Sequence, residues 1–268
     1  MPWIVEPTQT PESLEEFIYA HRIPLSTSQQ AYLRFKRLTD VVLSALALLI
    51  LLIPLIAIIF VQKISSPHEP AIFRQKRVGR CGKVFTMYKF RTMKTTAPKY
   101  AATKEFEDAE QYISRLGHIL RSTSVDELPQ LFNVLKGDMS LIGPRPLIPQ
   151  EDEVHYLRAY YGIDQLRPGI TGWAQVNGRD LLDDYDKVFY DREYLKHVSV
   201  GFDTKVFWWS VLKVMKRTDI REGHVETLQR GDSNREDSAK LVLAKSKRSC
   251  VETSKEKETD EYEEKQAI

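Results

Sequence analysis

The chain has 268 residues, 31.1 kDa, with 39 Lys and Arg against 37 Asp and Glu, and 42% of it is apolar. A net charge of +2 and 10% aromatic residues exclude a disordered polyelectrolyte and allow one ordinary domain with appendages, or two small ones. Cys81 and Cys250 lie far apart without CxxC spacing, and the six histidines form no HExxH pair, which excludes a disulfide framework and the common zinc sites. The sequence has no GxxxxGK[ST] loop, no GxGxxG after a strand and no GxSxG elbow.

Residues 1–30 hold Pro2, Pro7, Pro11 and Pro24 and read as an extended lead-in with a short helix around Glu12 to Tyr19. Val41 to Val61 is then twenty-one residues without a charge. As a helix it reaches across a hydrocarbon layer of about 30 Å. It starts too far from Met1 for a simple signal peptide. A buried core helix is the competing reading. Pro54 removes one helical hydrogen bond and predicts a kink. Basic residues flank both ends: Arg34, Lys36 and Arg37 before, Lys63, Arg74, Lys76, Arg77, Arg80 and Lys83 after. The positive-inside rule therefore gives no direction, since both ends have cytoplasmic character; a re-entrant helix bent at Pro54 would satisfy both, with a single span as the competitor. From Ala31 to Met93 there are eleven Lys and Arg and two acids, Asp40 and Glu69. Beside a lipid-length helix such a belt favours anionic membrane lipids or phosphates over nucleic acid.

Residues 69–220 carry the globular part. Lys83 to Tyr88 has strand character, and Phe106 to Leu120 has apolar residues at helical period. Ser124, followed by Glu127 three residues on and then Leu128, Leu131, Phe132 and Leu135, predicts a helix opened by a capping box. Asp152 to Tyr161 and Asp183 to His197 read as helices. Asp203 to Arg217 combines Trp208 and Trp209 with Lys205 and Lys213, which suits a helix lying at a bilayer surface or one packed into the core. The last 48 residues, 221–268, hold ten basic and twelve acidic residues and one aromatic, Tyr262, and read as a charged, disordered or loosely helical tail. The fold class expected is α+β, mainly helical: a membrane-associated monotopic domain with one re-entrant helix and amphipathic interfacial helices.

The chemistry concentrates in Leu120 to Pro146, LRSTSVDELPQLFNVLKGDMSLIGPRP. Asp126 and Glu127 fall in the first turn of the predicted helix, where free N–H groups favour negative charge. Acids in a first turn are common, and Glu127 alone would do as a cap. Lys89, Arg91, Arg121 and Arg145 are available to bind phosphate, and arginine matches phosphate oxygens bidentately. Gly143-Pro144-Arg145-Pro146 is a rigid turn that would fix its arginine. A carboxylate pair among cations suits phosphoryl transfer with Mg²⁺, and an aspartate can itself be the nucleophile.

The chain resembles the bacterial sugar transferase family, the monotopic polyprenyl-phosphate phosphoglycosyl transferases, over Tyr32 to Asp219. Five consecutive pieces carry the resemblance: Lys36, Arg37 and Asp40 before the apolar helix; Phe73 to Met93; Leu120 to Pro146; LRPGITGWAQVNGR from Leu166 to Arg179; and Asp180 to Val200 leading into the Trp-rich helix. The resemblance implies that residues 31–220 transfer a sugar 1-phosphate from a UDP-sugar to undecaprenyl phosphate, releasing UMP, at the cytoplasmic face of the bacterial inner membrane. It implies Asp126 as nucleophile, Glu127 and Asp126 toward Mg²⁺, Lys89 and Arg121 near the phosphates, and Arg145 near the donor. Asn177, Gly178 and Arg179 belong to a motif that serves either structure or donor contact. A second copy of the chain is a further candidate partner, and exopolysaccharide or capsule assembly is the family's usual setting. Members with the re-entrant helix often carry Ser before the helix proline, where this chain has Ile53, so the kink rests on Pro54 alone. Two rival readings differ in class. A glycoside hydrolase needs carboxylates facing each other about 5 to 9.5 Å apart, which neighbours on one turn serve poorly. A non-catalytic membrane adaptor would use the charged tail as its binding arm.

Overall fold

Helix α1 runs from Thr27 to Ser65, 39 residues in all, about 58 Å at 1.5 Å per residue. The computed structural model describes residues 22–97, 112–178 and 182–216. The short helix expected near Glu12 and the tail beyond residue 220 lie outside them. Ser26 caps α1 reciprocally: its Oγ accepts from Gln29 N–H at 3.2 Å, and Gln29 Oε1 accepts from Ser26 N–H at 2.9 Å. The helix extends well beyond the apolar stretch at both ends and is continuous through Pro54. Leu49, Ile50 and Ile53 are 71–79% exposed, so the buried-core reading fails. Leu48, Leu51, Leu55 and Ile58, at alternating spacings of three and four, form the stripe that packs on Phe90 and Leu120.

The charged start of α1 is tied down by three side chains. Arg37 donates to Val134 O and Leu135 O at 2.5 and 3.0 Å, satisfying carbonyls that the end of a short helix leaves over. Asp40 accepts Leu141 N–H at 3.2 Å. Lys36 reaches Asp203 at 2.5 Å, where Tyr32 and Tyr194 also donate, at 2.5 and 2.6 Å. At the other end Gln62 donates to Arg91 O at 2.8 Å. Both ends of α1 therefore hold the same body.

That body begins with an antiparallel hairpin, β1 (Ile72–Val78) and β2 (Val84–Phe90), paired from Ile72 with Phe90 to Val78 with Val84. Cys81 and Gly82 turn it with positive φ. Helix α2 (Arg115–Ser122) starts later than expected, at an N-cap formed by Ser114, because Ile113 bridges Met93 as a strand instead. The rest of the predicted segment, before Tyr112, is outside the described residues. A 3₁₀ turn, Val125–Glu127, leads into α3 (Gln130–Lys136). Strand β3 (Ser140–Ile142) pairs in parallel with β4 (Gly169–Thr171), separated in sequence by α4 (Asp152–Tyr161). Helices α5 (Trp173–Asn177), α6 (Asp184–His197) and α7 (Val200–Lys216) complete the chain.

The main core gathers Leu147, Leu157, Ile163, Leu166, Val176, Val188, Leu195 and Val206 between α4, α5, α6 and α7. Each such side chain contributes about 1.5–3 kcal/mol through burial. A smaller cluster, Phe85, Met87, Val134 and Met139, locks the hairpin to α3. Asn133, fully buried, bridges the two: its amide donates to Thr86 O at 2.7 Å and accepts Tyr88 N–H at 3.1 Å. Helix α7 answers both readings at once. Val206 and Asp203 are buried, while Phe207, Trp208, Trp209 and Met215 are 49–75% exposed. One face packs and the other presents a broad apolar surface.

Candidate active site

Asp126 and Glu127 are each 8% exposed, on the 3₁₀ turn rather than in an α-helix. The capping box expected from Ser124 does not form. Ser124 sits in the left-handed region at φ 56°, where an N-cap needs extended backbone, and its N–H goes back to Arg121 O at 3.0 Å. Helix α3 starts only at Gln130 and is seven residues long, so its dipole is a weak source of charge balance for the two acids. The strained turn instead presents two adjacent carboxylates at one edge of the body, the kind of conformation that collects at functional sites.

Side chains from two other segments face Glu127. Lys89, near the end of β2, places Nζ 2.7 Å from Glu127 Oε1, and Arg145 places Nη1 3.9 Å from the same oxygen. These partners are 11–28% exposed, so water screens them less than it would a surface pair. Arg121 closes α2 five residues before Asp126, half-buried, its carbonyl accepting the Ser124 N–H. Arg91 is placed elsewhere: its Nε donates to Pro70 O at 2.8 Å and its guanidinium lies 5.6 Å from the Phe73 ring. Arg179 is outside the described residues.

Arg145 is held from behind. Its carbonyl accepts from Arg158 at 2.8 Å, and Arg158 is paired at 2.5 Å with Asp191, 1% exposed. Arg77, which reads in the sequence as one cation of the basic belt, is a supporting part of the site. It donates to Pro146 O at 3.2 Å and to Gln75 at 2.6 Å. Burial, with Arg145 nearby, pulls its guanidinium down to about 10, so it stays charged at neutral pH. Its alternation with Gln75 and Phe73 along β1 was the available signal, but only the hairpin register shows which face meets Pro146.

The Gly-Pro-Arg-Pro turn depends on glycines from the next motif. A Cβ on Gly169 would stand 2.1 Å from Gly143 N, and one on Gly172 2.1 Å from Gly143 O. The LRPGITG segment thus gives the turn carrying Arg145 a surface that only hydrogen can occupy. Asn177 donates to Trp173 O at 2.7 Å, and a Cβ on Gly178 would meet Leu182 at 2.7 Å, so in this structure both serve the local fold.

For metal, the described residues contain no group of three or more His, Cys, Asp or Glu. Two hard carboxylates suit Mg²⁺, which commonly keeps waters and substrate phosphate oxygens in its shell. Glu127 Oε1 already faces Lys89 and Arg145, so the pair fits an ion delivered with an anionic substrate better than a permanently caged one.

Beside Glu127 opens a cavity of about 620 Å³ between α1, the 3₁₀ turn, the β3–β4 pair and α7. A second cavity, about 600 Å³, is lined by Arg34, Arg37, Arg80 and Arg167 on the far side of Lys36.

The profile of the bacterial sugar transferase family matches residues 31–217. A UDP-glucose:undecaprenyl-phosphate glucose-1-phosphate transferase of Escherichia coli K12 is 40% identical over 185 residues, covering 66% of this chain and 39% of that protein. An undecaprenyl-phosphate galactose phosphotransferase of Salmonella typhimurium is 35% identical over 220 residues, 75% of this chain and 46% of its own length. A sugar transferase of Bacillus subtilis, EpsL, is 40% identical over 166 residues, 60% of this chain and 78% of that protein. The chain thus spans less than half of the Escherichia and Salmonella proteins. With the matched residues running from the start of α1 to the end of α7, the chain belongs to the bacterial sugar transferase family.

Proposed function

We propose that this chain transfers a sugar 1-phosphate from a UDP-sugar to undecaprenyl phosphate and releases UMP. The carboxylate of Asp126 attacks the phosphorus bonded to the sugar. The bond from that phosphorus to the bridging oxygen breaks, and UMP leaves with the electron pair. An oxygen of the lipid phosphate then attacks the same phosphorus and expels the Asp126 carboxylate, which regenerates the enzyme and forms a polyprenyl diphosphate sugar. Lys89 and Arg145 exchange part of their interaction with Glu127 for phosphate oxygens, and Arg121 adds charge from α2. Mg²⁺, held by Asp126 and Glu127 together with the diphosphate, would neutralise the donor's charge.

The observation that carries this reading is the Lys89–Glu127–Arg145 cluster beside Asp126, on a strained turn next to a lipid-length helix. Relatives whose names specify UDP-glucose and undecaprenyl phosphate support the two substrates. We place the catalytic part on the cytoplasmic face of the inner membrane with α1 re-entrant. Both ends of α1 hold one globular body, which supports same-face placement. The test is UMP formation by purified protein given UDP-glucose or UDP-galactose, undecaprenyl phosphate and Mg²⁺. UMP appearing in step with a lipid-linked sugar phosphate is expected. No UMP from a panel of UDP-sugars, or undiminished turnover in excess chelator, would contradict the reaction or the metal respectively.

A further inference from the structure

The cavity beside Glu127 has a chemistry of its own. Phe35 and Leu43 of α1, Leu128 and Leu131 after the turn, and Phe207 and Val214 of α7 form its walls. Most polar groups along it are already satisfied. Asp203 takes Lys36, Tyr32 and Tyr194. Thr171 and Ser210 bond each other at 2.6 Å, and Thr204 donates to Val200 O at 2.9 Å. Gln175 Oε1 is buried without a hydrogen-bond partner, but it is an acceptor and offers nothing to an anion. The middle of the cavity therefore rewards an apolar occupant, because a polar one would lose its water there without replacement. At one end it reaches Ser124 and Glu127 on the turn that carries Asp126, with Lys89 and Arg145 paired to the Glu127 carboxylate from outside its lining. The other side opens where Phe35, Leu43, Phe207 and Val214 are 42–56% exposed, on the apolar faces of α1 and α7.

We infer that this cavity is the binding site for the first isoprene units of the polyprenyl phosphate acceptor, holding the chain between α1 and α7 while its phosphate reaches the Asp126 turn. The inference rests on the proposed acceptor. Its commitment to that lipid comes from three features: the end at the Asp126 turn, the largely satisfied polar lining and the opening onto the apolar faces. A UDP-sugar matches only the first. About 620 Å³ is the volume of a site for a drug-sized ligand, enough for several isoprene units, with the rest of the chain left in the bilayer. The cavity makes α1 and α7 the two jaws of an acceptor site as well as membrane contacts.

The test fills the cavity from opposite walls, with Thr204→Trp on α7 and Leu43→Trp on α1. KM is measured for undecaprenyl phosphate and for the UDP-sugar donor, which has no isoprene chain to place there. Each tryptophan is expected to raise the undecaprenyl phosphate KM about tenfold, with a much smaller effect on the donor KM. Unchanged ratios of the two KM values in both folded variants would overturn the site. If one variant fails to fold, the other still reads out. A second measurement needs no turnover: a diazirine-bearing polyprenyl phosphate should label the peptide containing Phe207 and Val214. Undecaprenyl phosphate should compete for the label, and excess phosphatidylglycerol should not. Equal competition by the phospholipid would make the cavity a general lipid groove and overturn the commitment. Labelling in a protein that releases no UMP would instead leave the lipid site standing and sink the proposed reaction.

Discussion

Lys89 and Glu127 come from segments 38 residues apart and meet at 2.7 Å, and this contact decides what the carboxylate pair can do. Without Lys89, the mostly buried Glu127 carboxylate loses its cation at 2.7 Å, with Arg145 standing farther away at 3.9 Å. Lys89→Met is therefore expected to cost about 1–3 kcal/mol of stability and to raise the donor KM, which thermal unfolding and steady-state kinetics would check. A variant with wild-type melting and donor KM would remove the residue from the site. Asn133 works in the same way for structure. It joins two hairpin backbone groups to α3 in a fully buried place, so Asn133→Ala is expected to cost about 2–4 kcal/mol, read in denaturant unfolding. Sequence reading reached Asp126, Glu127, Lys89 and Arg145 through their motifs, but not the roles of Asn133 or Arg77. Those two act through backbone carbonyls of distant segments, and residue type and spacing do not show such contacts.

At the scale of elements, the segments with a strong period or a strong cap were legible. The span of α4 agrees with its expected one, and α6 begins one residue later because Asp183 is its cap, accepting Asp186 N–H at 2.6 Å. The errors came where local chemistry met long-range pairing. Ile113 follows a helical period but bridges Met93, and Ser124 has the residues of a capping box but not its backbone. The parallel pair β3–β4 was invisible, since three-residue strands carry no usable alternation. That pair depends on close backbone approach. Gly169→Ala would place a methyl group 2.1 Å from Gly143 N and push the Pro-Arg-Pro turn outward. The expected result is a loss of about 2 kcal/mol or more together with lost activity, since Arg145 moves with the turn. Unfolding curves and kinetics on the same variant would check it; unchanged values for both would show that the turn has room to shift.

For the whole molecule, α1 is the organising element. Its inner stripe meets Phe90 and Leu120, its two ends are bonded to the body, and its outer face is exposed and apolar. With the apolar face of α7 beside the same cavity, the surface suits contact with a membrane. The sequence signalled the apolar helix and its basic flanks but not the contacts along its length, which depend on how the hairpin and α2 fold against it. In a background with Cys81 and Cys250 replaced by serine, Ala31→Cys and His68→Cys in sealed inverted vesicles should both react with an impermeant maleimide. Reaction of one and protection of the other would make α1 a single span.

The central claim is that Asp126 carries the sugar phosphate between the two substrates. Incubating the protein with a UDP-sugar radiolabelled in the phosphate next to the sugar, without lipid acceptor, and digesting it after rapid acid quench tests this most directly. The account predicts label on the peptide containing Asp126, discharged by added undecaprenyl phosphate and absent from Asp126→Asn. A wild-type enzyme that turns over while that peptide stays unlabelled would contradict it.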